Sequence, residues 1–247
     1  MKRKIGVAAL IGLVAAGALA ATASAQCISP TLIKFDNDTF AYETNYNNAT
    51  YMSAVGSQLT VVGIITCFGP PLDFLNANMP AKQYTVWLTG LTSTGTAAVV
   101  GPPNTWNTTY STGSAQFFIF EDSSTPAPTA ATLPPNPPNA TVPSTFTDGT
   151  IILSGTIDYF HTLITQGSTG HWSGSFNALY TATGGTQYPK VGGAQANLNG
   201  LWCSLGTGVS QCSLPAGYSA HPSGKFDQPS STPARPSTWG RMKMLYR

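Results

Sequence analysis

The sequence predicts an all-β fold: one antiparallel barrel of the Greek-key type, or a β-sandwich, with a long proline-rich loop and a short C-terminal helix. Three observations lead there. Gly, Ser, Thr, Asn and Pro recur about every ten residues, a punctuation that suits short strands joined by turns. Several runs between these breaks alternate apolar and polar residues, which puts one set of side chains on a core face. No stretch of a dozen residues before the C-terminus repeats its apolar residues at a helical period.

The chain opens with Lys2, Arg3 and Lys4, an apolar run to about residue 20, and the small residues Ala23, Ser24 and Ala25. These are the three zones of a cleavable secretory signal, so residues 1–25 are expected to be removed and the mature protein to begin near Gln26. The apolar run ends in small residues rather than a charged flank, which argues against a retained membrane anchor. Residues 26–224 then form the β-domain and residues 225–247 a basic amphipathic tail.

Within the β-domain, residues 35–46 are polar and aromatic and read as an edge segment. Residues 58–68 are apolar on both parities around Gly63, as expected of a strand covered on both faces or bent into a barrel. Residues 83–91 and 115–120 add two strands. Residues 123–144 hold seven prolines and no charge; proline lacks the backbone donor that helices and inner strands need, so this is an excursion between strands. Residues 150–165 and 171–183 form the clearest strand pair, joined by the turn-forming 166–170. In the first run Ile151, Leu153, Ile157, Tyr159, His161 and Leu163 share the apolar parity, with Gly155 marking a bend or bulge. In the second Trp172, Phe176, Ala178, Tyr180 and Ala182 face the core, opposite Ser173, Ser175 and Asn177. Residues 194–205 bring Leu198 and Trp202 to one face. Trp87, Phe176 and Trp202 are expected in the core. The strand pattern over residues 58–183, with a glycine-interrupted first strand and a long insertion before the fourth, resembles the oligonucleotide/oligosaccharide-binding (OB) barrel, which implies a topology and no particular activity.

The full chain holds 11 basic and 9 acidic residues. Without residues 1–25 the balance is 8 against 9. The charges are segregated: residues 26–224 carry three lysines against eight carboxylates, and residues 225–247 five cations against one. Three lysines on an acidic body do not supply the phosphate-neutralising surface on which nucleic-acid affinity rests, so no nucleic-acid partner is expected. Cys27, Cys67, Cys203 and Cys212 form an even set in an exported chain and are expected to pair as two disulfides, Cys27 with Cys67 and Cys203 with Cys212.

Candidate site residues are few. Glu121 and Asp122 follow an apolar strand and open into the proline-rich stretch, a rim position for a ligand. Trp106 and Tyr110 lie in a stretch begun by Gly101, Pro102 and Pro103; they are read as loop aromatics able to stack on a sugar. Asp36 and Asp38 supply the oxygen ligands Ca²⁺ prefers but lack the glycine and distal glutamate of an EF-hand loop; no other cofactor is expected. The chain has no Gly-x-Ser-x-Gly string for a nucleophile elbow. His161 reads as a hydrogen-bonded core residue. In the tail, Trp239, Met242 and Tyr246 fall at i, i+3 and i+7 beside Arg241 and Lys243, a short amphipathic helix that docks on the acidic body or on an anionic partner. The expectation is a secreted, non-enzymatic surface or structural protein, located in the periplasm, on the outer surface or in the medium. It binds a glycan or cell-surface partner, or self-associates, through loops and tail. A carbohydrate-binding module is the alternative, and a secreted hydrolase the third.

Overall fold

The computed structural model describes residues 27–47, 52–122, 144–167, 172–193, 195–204, 214 and 218–228. Residues 1–26, with the expected signal, the proline-rich residues 123–143, Cys212 and the residues from 229 onward lie outside them, and so do the side chains of Asp36 and Asp38.

Among the described residues eleven strands follow in chain order: β1 (Thr31–Glu43), β2 (Tyr46–Asn47), β3 (Met52–Ser53), β4 (Gln58–Phe68), β5 (Gln83–Ala98), β6 (Thr105–Ser111), β7 (Gln116–Asp122), β8 (Thr150–Gln166), β9 (Trp172–Gly184), β10 (Gln195–Ser204) and β11 (Ala220–Asp227). Nine form one antiparallel sheet, and β2 and β3 pair separately. β6 and β7 run end to end along the same side of β5 and of β8, so they act as one stave. The ladders then run β1, β4, β5, β6/β7, β8, β9, β10, β11 and back to β1, which closes the sheet into a ring of eight positions. An antiparallel all-β barrel is therefore what the sequence encodes, but its connectivity is a meander. Apart from the closing pair β11–β1, every ring neighbour is the next sheet strand along the chain, whereas a Greek key needs a long return connection. β1 is likewise no edge: it pairs with β4 on one side and β11 on the other, because closure leaves no free edge.

Eight staves leave an interior just wide enough for side chains to fill. Here it is filled by rings. Phe35, Phe117, Phe160, Phe176, Tyr180, Trp202 and Phe226 meet at centroid separations of 4.8 to 6.4 Å. The void left beside Phe35, Phe117, Phe160, Phe176 and Trp202 is about 10 Å³, at most the space of one water. β9 to β11 alternate as the period of two requires, with Phe176, Ala178, Tyr180, Leu198, Trp202 and Phe226 buried. β4 is buried on both faces: Leu59, Val61 and Ile65 point into the barrel. Val62 joins Phe40, Phe146 and Tyr218 in a second cluster that also takes in half-buried Ile64 and Trp87. Phe146 comes from the helical turn Ser144–Thr147, whose carbonyl at Phe146 accepts a 2.8 Å hydrogen bond from the Thr85 hydroxyl. Trp87 is thus half-buried outside the barrel, stacked on Phe118 at 5.3 Å, rather than in its core.

β8 departs from its expected parity. Its ladder with β9 shifts between Ser154 and Gly155, at the expected bulge, and again between Ile157 and Tyr159, where Asp158 is the extra residue. One added residue exchanges the faces. Beyond it Phe160, Thr162 and Ile164 are buried, while Tyr159 and Leu163 are 44% and 40% exposed. His161 accordingly leaves the core and stacks on Tyr159 outside. The bulge is satisfied locally, since Thr112 donates to the Asp158 carbonyl and Thr181 to its carboxylate.

Candidate functional site

The strand register assembles a groove of about 430 Å³ on the outside of the barrel across β9, β10, β11 and β1. Asn177 stands opposite Asn199, Asn199 opposite Lys225, and Lys225 opposite Lys34, so two amides and two ammonium groups form one outward row. Two residues along each strand, Ser175, Leu201 and Ser223 form the next outward row, with Leu201 69% exposed. Between the rows lie Phe176, Gly200 and Gly224, so the groove floor is glycine backbone over an inward-facing ring. Gly200 and Gly224 are required there. A Cβ on Gly224 would stand 2.6 Å from the Phe176 ring and 3.0 Å from that of Phe35, and one on Gly200 2.1 Å from the Ser223 carbonyl oxygen.

The groove offers amide donors and acceptors, hydroxyls, ammonium groups and one exposed aliphatic side chain. Among the described side chains of these strands, the Asp227 carboxylate lies one row away. Asp227 accepts a 2.7 Å hydrogen bond from Thr31 and pairs with Lys225 at 2.8 Å. Burial alone would raise its pKa, but the hydrogen bonds from Lys225 and Thr31 outweigh it and hold the carboxyl below the usual range.

A second polar cluster lies buried by the β2–β3 hairpin. Glu43, 5% exposed, accepts hydrogen bonds from the hydroxyls of Ser53 and Tyr110. Burial raises its pKa against the lowering effect of Ser53, Ser57 and Tyr110. The Tyr110 phenol is pushed up by its own burial and then by the charge of Glu43.

The residues singled out from sequence do not form one site. Trp106 and Tyr110 belong to strand β6 and not to a loop, because their segment pairs with both β5 and β8. Tyr110 is buried on Glu43, and Trp106 packs against Trp172 at 4.7 Å, so neither is a free stacking platform. Glu121, at the end of β7, pairs with Lys82 and accepts a 2.7 Å hydrogen bond from Tyr84; Asp122 beside it is buried. Asp36 and Asp38 fall in the register shift of β1 between Phe35 and Thr39. Among the described residues no three His, Cys, Asp or Glu side chains are grouped to hold a metal. Cys27 and Cys67 form a disulfide. Cys203 is also disulfide-bonded, and the expected partner Cys212 lies outside the described residues. Lys225, Phe226 and Asp227, assigned to the tail from charge alone, are part of β11. The tail residues Trp239, Arg241, Met242, Lys243 and Tyr246 lie outside the described residues.

No helix among the described residues is long and apolar enough to cross a membrane. The groove face also shows the reverse of a membrane barrel's alternation, with rings inside and Asn, Lys and Ser outside. Comparison with protein-family models, curated proteins and solved structures yields no match.

Proposed function

We propose that this is an exported, non-catalytic surface protein whose disulfide-stapled barrel engages its partner through the outer groove of β9, β10, β11 and β1. One observation carries the reading. The barrel interior is packed with aromatic rings, while hydrogen-bonding side chains from four strands line a groove outside it, around an exposed leucine. A rigid sheet presenting convergent polar groups is a binding surface whose side chains are held in place by the ladder. Export is supported by the leader-like residues 1–25 and by the Cys27–Cys67 disulfide, which persists in oxidising compartments.

The test is co-sedimentation of the purified mature protein with insoluble envelope and extracellular material of the producing cell. Asn177→Ala/Asn199→Ala should lower the bound fraction at least tenfold while melting like the wild type. Equal sedimentation of the two proteins, or turnover of the bound material by the wild type, would overturn the reading. A carbohydrate-binding module is the second reading, favoured by the paired amides over an apolar floor.

A further inference from the structure

We infer that the outer face of β8, β9 and β10 takes an extended, uncharged polysaccharide, its ring faces on Tyr159, His161 and Leu201 and its hydroxyls on Asn177 and Asn197. The inference rests on the groove belonging to the binding face, and it names the class of the ligand. Beyond the Asp158 bulge, β8 turns Tyr159, His161 and Leu163 outward. β9 sets Leu179, Asn177 and Ser175 opposite them, and β10 sets Asn197, Asn199 and Leu201 opposite those. The groove thus continues onto β8 as one outward face three strands wide. Adjacent strands stand ~4.8 Å apart and same-face residues ~6.8 Å apart along each strand, so the face measures about 10 Å by about 14 Å. That suits a run of sugar rings better than a single small ion.

The chemistry of the face selects its occupant. None of its nine residues is an acid, a lysine or an arginine. Charges at its margin are matched within the protein: Lys225 pairs with Asp227 at 2.8 Å, and Asp158 accepts a hydrogen bond from Thr181. An ionic polymer therefore finds no counter-charge on these three strands. Tyr159, Leu163 and Leu201 stand exposed, and the rings of Tyr159 and His161 lie 22° from parallel at a centroid distance of 6.0 Å. Exposed apolar side chains gathered on one face mark a contact surface. Amides stand between them, so a wholly apolar partner would strip water from Asn177 and Asn197 without replacing its hydrogen bonds. An uncharged sugar chain meets both demands. Its C–H faces cover the rings and leucines, and its hydroxyls donate to and accept from the amides. Asn199 also hydrogen-bonds Asp227, so the hydroxyl contacts are assigned to Asn177 and Asn197.

The test titrates cellohexaose, chitohexaose and a carboxylated cellohexaose calorimetrically into the mature protein at low and high salt. At least one neutral hexamer should bind saturably, to the same extent at both salts, and at least fivefold more tightly than the carboxylated chain. Tyr159→Ala and Leu201→Ala should each weaken it at least fivefold, while Val100→Ala, at an exposed apolar position away from this face, changes nothing. Binding of neither neutral hexamer, equal or tighter binding of the carboxylated chain, or affinity unchanged in Tyr159→Ala would each overturn the inference. So would self-association of the mature protein, read by light scattering, that Leu201→Ala abolishes, since the face would then belong to a second copy. The sedimentation loss in Asn177→Ala/Asn199→Ala stands or falls separately, so the groove can survive the failure of its neutral ligand.

Discussion

The phenol of Tyr110 donates a 3.2 Å hydrogen bond to the carboxylate of Glu43, a contact between two buried residues 67 positions apart. Ser53 of β3 donates to the same carboxylate, so one acidic side chain ties the short hairpin to the barrel. Because burial raises the pKa of Glu43 above its usual 4.5, the fold favours the protonated form. Its contribution is therefore full below pH 4.5 and declines as pH climbs through the raised value. Glu43→Gln should flatten that decline in melting temperatures taken from pH 4 to pH 8. Glu43→Ala should cost about 1 to 3 kcal/mol, because it leaves the Tyr110 hydroxyl buried without this acceptor. An unchanged slope in Glu43→Gln would remove Glu43 as its source.

The Cys27–Cys67 bridge ties the segment before β1 to β4 and closes 40 positions of chain. Cross-links of this kind restrict the unfolded ensemble, so Cys27→Ser/Cys67→Ser should lose about 2 to 4 kcal/mol in urea unfolding. A loss below about 0.5 kcal/mol would mean that ladder pairing of β1 with β4 already holds this end closed.

β9 could be read from its residues because nothing interrupts it: apolar and polar side chains alternate from Trp172 to Ala182, and the structure keeps that order. β8 could not, since the extra residue Asp158 exchanges its faces and a bulge leaves no compositional mark. Composition misplaces Tyr110 because Gly101, Pro102 and Pro103 signal a turn whose end they do not locate; strand β6 begins at Thr105. The groove was hidden for a different reason. Lys34, Asn177, Asn199 and Lys225 are scattered along the chain, and only the register of four strands makes them neighbours. The same holds for β1, whose polar residues resemble an edge until ring closure supplies its second partner.

Gly200 and Gly224 should tolerate no side chain. Alanine at either meets backbone or packed rings, and overpacking of this kind costs about 1 to 3 kcal/mol. Gly113→Ala, where a Cβ meets nothing within 4 Å, should stay within about 0.5 kcal/mol and serves as the control. The measurement is the urea midpoint at constant m-value. Neutral substitutions at Gly200 and Gly224 would show that the floor yields, and that the rings of Phe35 and Phe176 are not wedged against it.

Glu121 should give the opposite pH signature to Glu43. Burial tends to raise its pKa, but the hydrogen bonds from Lys82 and Tyr84, with the charge of Lys82, outweigh that and hold it below 4.5. A carboxyl with a lowered folded-state pKa contributes stability that is present above the unfolded value and lost as pH falls through the lowered one. Asp227 adds a contribution of the same sign through Lys225 and Thr31. Lys82→Ala should thus remove only part of the acid-side loss. Its size is about 0 to 1 kcal/mol, because the Lys82 side chain is 35% exposed and solvent screens the pair. Tyr84→Phe should act in the same direction without changing charge, which separates the hydrogen bond from the ion pair. Urea unfolding at pH 3, 5 and 7 reads the effect. In a Glu43→Gln background the acid-side slope belongs to Glu121 and Asp227, so Lys82→Ala should reduce it there more clearly than in the wild type. If Lys82→Ala and Tyr84→Phe leave that slope intact, the lowered pKa of Glu121 has no consequence for folding.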